Sequence, residues 1–282
     1  MNGEIRFVDT HAHYFDRKFD ALPGGAAGLL DSPDFRACVA GVINIGTNLD
    51  NSREAVAQAA RYPFMAAAVG IHPEDCQAYE NKPEALDPDV ELPRLEAWLS
   101  DGEARRRGKI VAVGEIGLDR YWQPVDRERQ QAFFEGQLAI AQRVGLPVII
   151  HDREAHGDCF DTVCRYPGVR GVFHGYSGSA EMAKELIRRG WYIAFGGSVT
   201  FRNADRVRAV AASVPLERLL LETDCPYMAP VPHRGQVNHS GFVPDIAAVV
   251  AGLHGVSCAD LARITCENAE KLFGLSAFLP DL

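Results

Sequence analysis

The 282 residues, 47% hydrophobic and 24% charged, have the composition of a folded globular chain long enough to bury a large core, which excludes a disordered or low-complexity protein. A formal charge of −9 argues against a broad basic face for nucleic acid but leaves room for a local positive site; carboxylates gathered around metal ions would give this sign, because bound cations are missing from the count. There is no basic leader and no run near the ~20 apolar residues of a membrane span, so the expectation is a cytoplasmic protein with no membrane partner and no obligate protein partner.

Taken in chain order, short apolar runs at 5–9, 41–45, 65–70, 110–115, 147–151, 170–174, 191–195 and 219–222 read as strands. Runs such as VINI, VAVGEI, PVIIH and LLLETD are continuous rather than alternating, as expected of parallel strands covered on both faces. Between them lie stretches with helical spacing, SREAVAQAARY, RQQAFFEGQLAIAQRVG and SAEMAKELIRRG, the last two closing on a glycine that can stop a helix. Segments 23–32 and 81–93, rich in Pro, Gly and acidic residues, read as loop insertions, and 243–254 and 258–273 as closing helices. Eight alternations of this kind predict an α/β fold, a (β/α)8 TIM-like barrel forming a single domain over 1–282. Seven cysteines, an odd number with no CxxC pair, predict reduced thiols rather than a disulfide framework or a cysteine zinc site.

In a parallel barrel the chemistry sits where the strands end, because the loops into the helices converge there. The first predicted strand runs into Asp9-Thr10-His11-Ala12-His13, whose two histidines, two residues apart in an extended segment, point at one spot. The third strand leads to His72, the fourth ends in Glu115, the fifth in His151, the sixth in His174, and the eighth runs into Glu222-Thr223-Asp224. His156 follows the fifth strand less closely, while His233, His239 and His254 read as loop or surface residues. His11, His13, Glu115, His151, His174 and Asp224 are too many ligands for one tetrahedral zinc and suit two metals sharing a carboxylate. Glu115, on a middle strand, is the expected bridge. His11, His13 and Asp224 complete one site and His151 and His174 the other.

The motifs DTHAH (9–13), GIHP (70–73), GEIGLD (114–119), LPVIIHDREA (146–155), HGYSGS (174–179), FGGSVTF (195–201), LLLETDCPYMAP (219–230) and ENAEKLFGL (267–275) resemble, in order, those of the TatD-type metal-dependent hydrolases, a family described as deoxyribonucleases. The resemblance implies that the same six residues are metal ligands; the two-ion assignment and the phosphodiester substrate rest on it. Three departures stand out. Family members often carry a second histidine after GIHP, where this chain has Glu74-Asp75. They often carry a tyrosine directly after GEIGLD, where it has Arg120 ahead of Tyr121. A proline often falls two residues after the asparagine that follows the Arg-Gly pair, where it has Ser240. All three are expected in loops facing substrate.

The chemistry expected on this reading is metal-assisted hydrolysis of DNA or another phosphodiester from a 3′ end, with two divalent ions (Mg, Mn, Zn or Ni) activating water and holding a phosphate oxygen. Asp224 would orient that water and accept its proton, Glu115 would hold both ions, and His72 would bond a phosphate oxygen or protonate the leaving oxygen. Arg153, with Arg120, Arg202 and Arg234, is a candidate phosphate clamp, and the Gly-Gly-Ser-Val-Thr turn with Ser198 and Thr200 a candidate pocket lining. An amide or ester hydrolase on the same scaffold, such as an aminoacyl-tRNA deacylase, is the alternative; many barrel amidohydrolases bridge their ions with a modified lysine on strand four, where this chain has Glu115. An inactive barrel serving as a scaffold would be marked by a lost ligand, and all six are present.

Overall fold

The computed structural model describes residues 5–79 and 82–279. Eight strands, β1 (Phe7–Ala12), β2 (Val39–Ile45), β3 (Met65–Val69), β4 (Ile110–Asp119), β5 (Val148–Arg153), β6 (Gly171–Phe173), β7 (Tyr192–Phe195) and β8 (Leu219–Leu221), pair in sequence order, each parallel to the next. The ring is nearly closed just beyond β8, where His13 N donates to Cys225 O at 2.8 Å and Asp224 N to His11 O at 2.9 Å. The expected (β/α)8 barrel is therefore the observed architecture.

Helices alternate with the strands: α1 (Gly25–Leu30), α2 (Pro33–Cys38), α3 (Leu49–Arg61), α4 (Pro88–Ser100), α5 (Gly102–Arg107), α6 (Arg127–Val144), α7 (His156–Cys164), α8 (Ala180–Arg188), α9 (Asp205–Ser213), α10 (Val243–His254) and α11 (Cys258–Phe273). Their ends follow side-chain chemistry. Asn48 caps α3 in a reciprocal capping box, Asp126 caps α6, and Gly145 and Gly274 close α6 and α11 at positive φ, which costs glycine little. Among the described residues no single helix is long and apolar enough to cross a membrane, and all seven cysteines are free thiols.

One core cluster draws a residue or more from every strand, among them Val8, Ile43, Ala66, Val111, Ile149, Val172, Ala194 and Leu220, and so fills the barrel interior. Leu272 and Phe273 of α11 and Leu275 beyond it belong to the same cluster and seal one end with apolar side chains. The polar residues gather at the other end. A second cluster packs the outward strand residues under helices, with Phe133, Phe134 and Leu138 of α6 the largest contributors from one helix.

Several boundaries differ from the sequence reading. Segment 23–32 contains α1, a six-residue helix whose Leu30 is buried beside Tyr14, Phe19 and Phe35, so an apolar contact orders a stretch that composition marked as loop. In segment 81–93, residue 81 lies outside the described residues, and α4 begins at Pro88, a favourable first helical position behind the Asp87 cap. Strand β1 starts later and runs past His11 to Ala12, and β4 continues four residues beyond Glu115, with Gly117 paired to His151 and Asp119 to Arg153. Gly117 makes that extension possible: its φ is +145°, and a Cβ there would lie 2.0 Å from the His151 carbonyl oxygen.

Candidate metal centre

The two histidines of the β1 end converge as alternation requires, with His11 Nε2 and His13 Nε2 3.1 Å apart. His13 Nδ1 lies 2.7 Å from the Ile45 carbonyl, a group that can only accept, so the proton sits on Nδ1 and Nε2 of the neutral ring presents a lone pair. Glu115 Oε2 is 3.2 Å from His11 Nε2 and 3.8 Å from His13 Nε2; Asp224 Oδ1 is 3.9 Å and 3.5 Å from the same atoms. The ligand atoms of His11, His13 and Glu115 lie close enough together to hold a divalent cation, and Asp224 Oδ1 stands beside both imidazole nitrogens.

The other Glu115 oxygen faces a different set. Oε1 lies 2.7 Å from His151 Nδ1, 2.7 Å from His174 Nε2 and 3.4 Å from His72 Nε2. The carboxylate thus stands between two groups of histidines with one oxygen toward each, and the six residues singled out at the strand ends come together. The Glu115 side chain is only 4% exposed, whereas that of Asp224, held at φ +57° by the turn after β8, is 29% exposed and is the carboxylate facing solvent.

His72 is close enough to belong to this cluster, but its ring is turned the opposite way from that of His13. Its Nδ1 accepts the Glu74 backbone N–H at 3.1 Å, so the neutral ring carries its proton on Nε2, toward Glu115. In that tautomer His72 is a hydrogen-bond donor into the site, and with Glu115 and His151 it also stands close enough to hold an ion in the other one.

Three further carboxylates support the ligands. Asp119 Oδ2 lies 2.9 Å from His151 Nε2, fixing the ring so that Nδ1 faces the centre. Glu222 Oε1 lies 3.5 Å from His174 Nδ1 and accepts the Gly175 N–H. Asp9, fully buried, accepts from His11 N at 3.1 Å, Thr223 N at 2.9 Å, the Thr223 hydroxyl at 2.5 Å and the Ser240 hydroxyl at 2.6 Å, tying β1 to the chain after β8. None of the three was selected as a site residue from the sequence. All are spaced by two or four from selected ones (9 with 11 and 13, 119 with 115, 222 with 224), so the alternation that found His11 and His13 could have found them.

Electrostatics follows from this crowding. Burial alone would raise the Glu115 carboxyl, but His174, His72 and His11 hold it well below the usual range. Burial opposes charge on His151 as well, and the bonds to Asp119 and Glu115 outweigh it, pushing the ring up to about 9. Asp119 falls to about 2 because His151 and the Trp122 and Tyr121 amides outweigh its desolvation. His174 is raised well above its ordinary value, against its burial, by Glu115 and then Glu222. His11, buried and beside His174, is lowered. Desolvation lifts Asp9 to about 6 despite its four donors.

The arginines are spread more widely. Arg153 is exposed, with its guanidinium 4.1 Å from the Tyr121 ring centre. Arg120 is turned inward: its side chain is buried, donates to Gln130 at 3.1 Å and faces Asp158 at 3.6 Å, so it braces α6 and α7 instead of clamping a phosphate. Arg202 is exposed on the turn after β7. Arg234 donates to Ala229 O, lies over Phe201 and, with Arg17 and Lys18, lines a cavity of about 590 Å³ beside Tyr227. Thr200 accepts the Val231 N–H and donates to Gly197 O, and so holds the turn itself. His156, on α7, lies 2.8 Å from Asp152 and is not among the clustered histidines. Of the three departures, Ser240 is buried beneath the ligands, with its hydroxyl on Asp9 and 2.7 Å from the Tyr14 hydroxyl, and Arg120 is buried too, so neither faces substrate as expected.

A family model described as TatD related DNase matches residues 8–274. The metal-dependent hydrolase YabD of Bacillus subtilis is 35% identical over 274 residues, covering 95% of this chain and 99% of that one. The metal-dependent hydrolase YcfH of Escherichia coli is 36% identical over 276 residues, covering 96% of both. The crystal structure of YjjV, a TatD homolog from Escherichia coli, has a TM-score of 0.82 at 34% identity and covers 96% of this chain and 98% of that one.

Proposed function

The chain belongs to the TatD related DNase family and is a metal-dependent hydrolase, and from that premise we propose that it cleaves phosphodiester bonds of DNA, removing nucleotides from a 3′ end, with two divalent cations at the strand ends. On this reading His11, His13, Asp224 and Glu115 would hold one cation, and His151, His174 and Glu115 would hold the other. The observation that carries it is the division of the Glu115 carboxylate between two sets of histidines. Bound divalent cations supply positive charge that activates water and offsets the charge developing on a phosphoryl group. Asp224, the partly exposed carboxylate of the cluster, would orient the attacking water and take its proton. His72 Nε2–H donates to a phosphoryl or leaving oxygen, the role its tautomer fits. The bridging position on strand four is an ordinary glutamate, which favours the nuclease reading over the amide hydrolases of related barrels.

Single-stranded DNA labelled at its 5′ end, incubated with the protein and Mg, Mn, Zn or Ni, should shorten to a ladder from the 3′ end. Hydrolysis of an aminoacyl-tRNA or a simple amide with no action on DNA would overturn the proposal in favour of a deacylase or amidase.

A further inference from the structure

Among the described residues, the large apolar side chains left exposed are concentrated at the rim of the metal centre: Tyr121 and Trp122 follow β4, and Tyr227, Met228 and Val231 follow β8. We propose that Tyr121, Trp122 and Arg153 form a stacking platform for a nucleobase of a single-stranded end, a subsite that names the substrate class of the proposed nuclease and rests on that reading.

Three observations converge here. Tyr121 is 50% and Trp122 47% exposed, so neither ring is needed by the core. The rings meet at right angles, 4.9 Å between centroids at 87°, forming a corner that offers a face and an edge to a planar group. The Arg153 guanidinium lies 4.1 Å from the Tyr121 centroid and 5.4 Å from that of Trp122, and among the described residues no carboxylate pairs with it. Its remaining N–H donors are thus available to a phosphate while the rings take a base.

The platform is also tied to the chemistry. Asp119 Oδ1 accepts the Tyr121 N–H at 2.8 Å and the Trp122 N–H at 3.1 Å, while its Oδ2 faces His151 Nε2 at 2.9 Å. One buried carboxylate therefore ties a centre histidine to the backbone of the aromatic turn. Stacking also answers a difficulty raised by the net charge of −9, since it grips a strand through π-faces that every base possesses and does not require a basic surface. A base must be unpaired to enter, so the chemistry selects single-stranded ends.

The test compares single-stranded oligonucleotides that carry bases throughout with otherwise identical ones abasic at the 3′-terminal nucleotides. Wild type should show a KM roughly tenfold higher on the abasic substrate, and Tyr121→Ala/Trp122→Ala should show the same loss on the base-bearing one and no discrimination between the two. A double variant that discriminates as well as wild type would overturn the platform. If wild type cuts neither substrate, the nuclease reading fails, and the platform is judged by fluorescence. Trp191 is buried and Trp98 partly so, leaving Trp122 as the exposed reporter. Quenching by the base-bearing but not the abasic strand, lost in Trp122→Phe, supports stacking; equal or no quenching refutes it.

Discussion

The two halves of the centre are held by different means. His11 on β1 and His13 just past its end are positioned chiefly by backbone groups, the Ile45 carbonyl on His13 and the Asp224 amide on His11 O, with the Asp9 clamp below. His151 on β5 is instead oriented by its hydrogen bond to the Asp119 carboxylate, and His174, just past β6, faces the Glu222 carboxylate at 3.5 Å. A carbonyl fixes a tautomer without adding charge, whereas a carboxylate also makes the ring more basic. Burial beside His174 lowers His11, whereas His13 is raised against its burial by Asp224 and Glu115, so the first half is divided while both histidines of the second hold protons that a cation must displace. Glu115 is common to both.

The largest effect should come from removing what the halves share. Glu115→Gln keeps the shape and deletes the charge facing both sets, and turnover should fall by about three orders of magnitude or more, with the far-UV circular dichroism unchanged. Next is the support of the second half alone. Asp119→Asn should weaken metal affinity by about 10–100-fold in calorimetric titration. The pH at which affinity is half lost should also move down, because His151 loses a partner that raises it.

The asymmetry also predicts a pH dependence for metal-stripped protein. The folded His151 lies near 9, above its ordinary 6.5, so its stabilising contribution is complete below pH 6.5 and disappears as pH rises through 9. Asp119, at about 2 against 3.8, contributes above pH 3.8 and loses that contribution as pH falls through 2. Melting temperature without metal should therefore decline by a few degrees between pH 6.5 and 9, and metal should remove the decline, because ligation requires the deprotonated ring. A flat metal-free profile would erase the proposed difference between the halves. The smallest effect belongs to the first half: Ser240→Ala removes one of the donors on Asp9 and should cost about 1 kcal/mol in urea unfolding with metal affinity little changed.

The barrel and the convergence of titratable residues at the strand ends were legible because both follow simple periods. Continuous apolar runs marked strands covered on both faces, and titratable residues recurred where those runs stopped. What escaped notice depended on where a strand ends. Reading β4 as stopping at Glu115 hid Asp119, which continues the same alternating register, and reading β1 as stopping at Asp9 placed that residue at a terminus instead of beneath His11. Helix α1 was obscured by its glycines, since a six-residue helix secured by the burial of Leu30 has no periodicity to read. Arg120 shows the limit of residue type as evidence. A guanidinium beside a ligand strand reads as a phosphate clamp, and only the positions of Gln130 and Asp158 reveal that it faces inward. Tautomers lay further out of reach, because His13 and His72 are told apart only by whether a carbonyl or an amide meets Nδ1.

Hydrolysis by this protein depends on whether the cluster gathers divalent ions. The most direct measurement is to titrate metal-stripped protein with Mn(II) while following cleavage of a single-stranded oligonucleotide. The expected curve starts from no turnover and rises to a plateau at two equivalents, and Glu115→Gln stays at the baseline throughout. Full turnover in the stripped protein, or a variant that follows the wild-type curve, would contradict it.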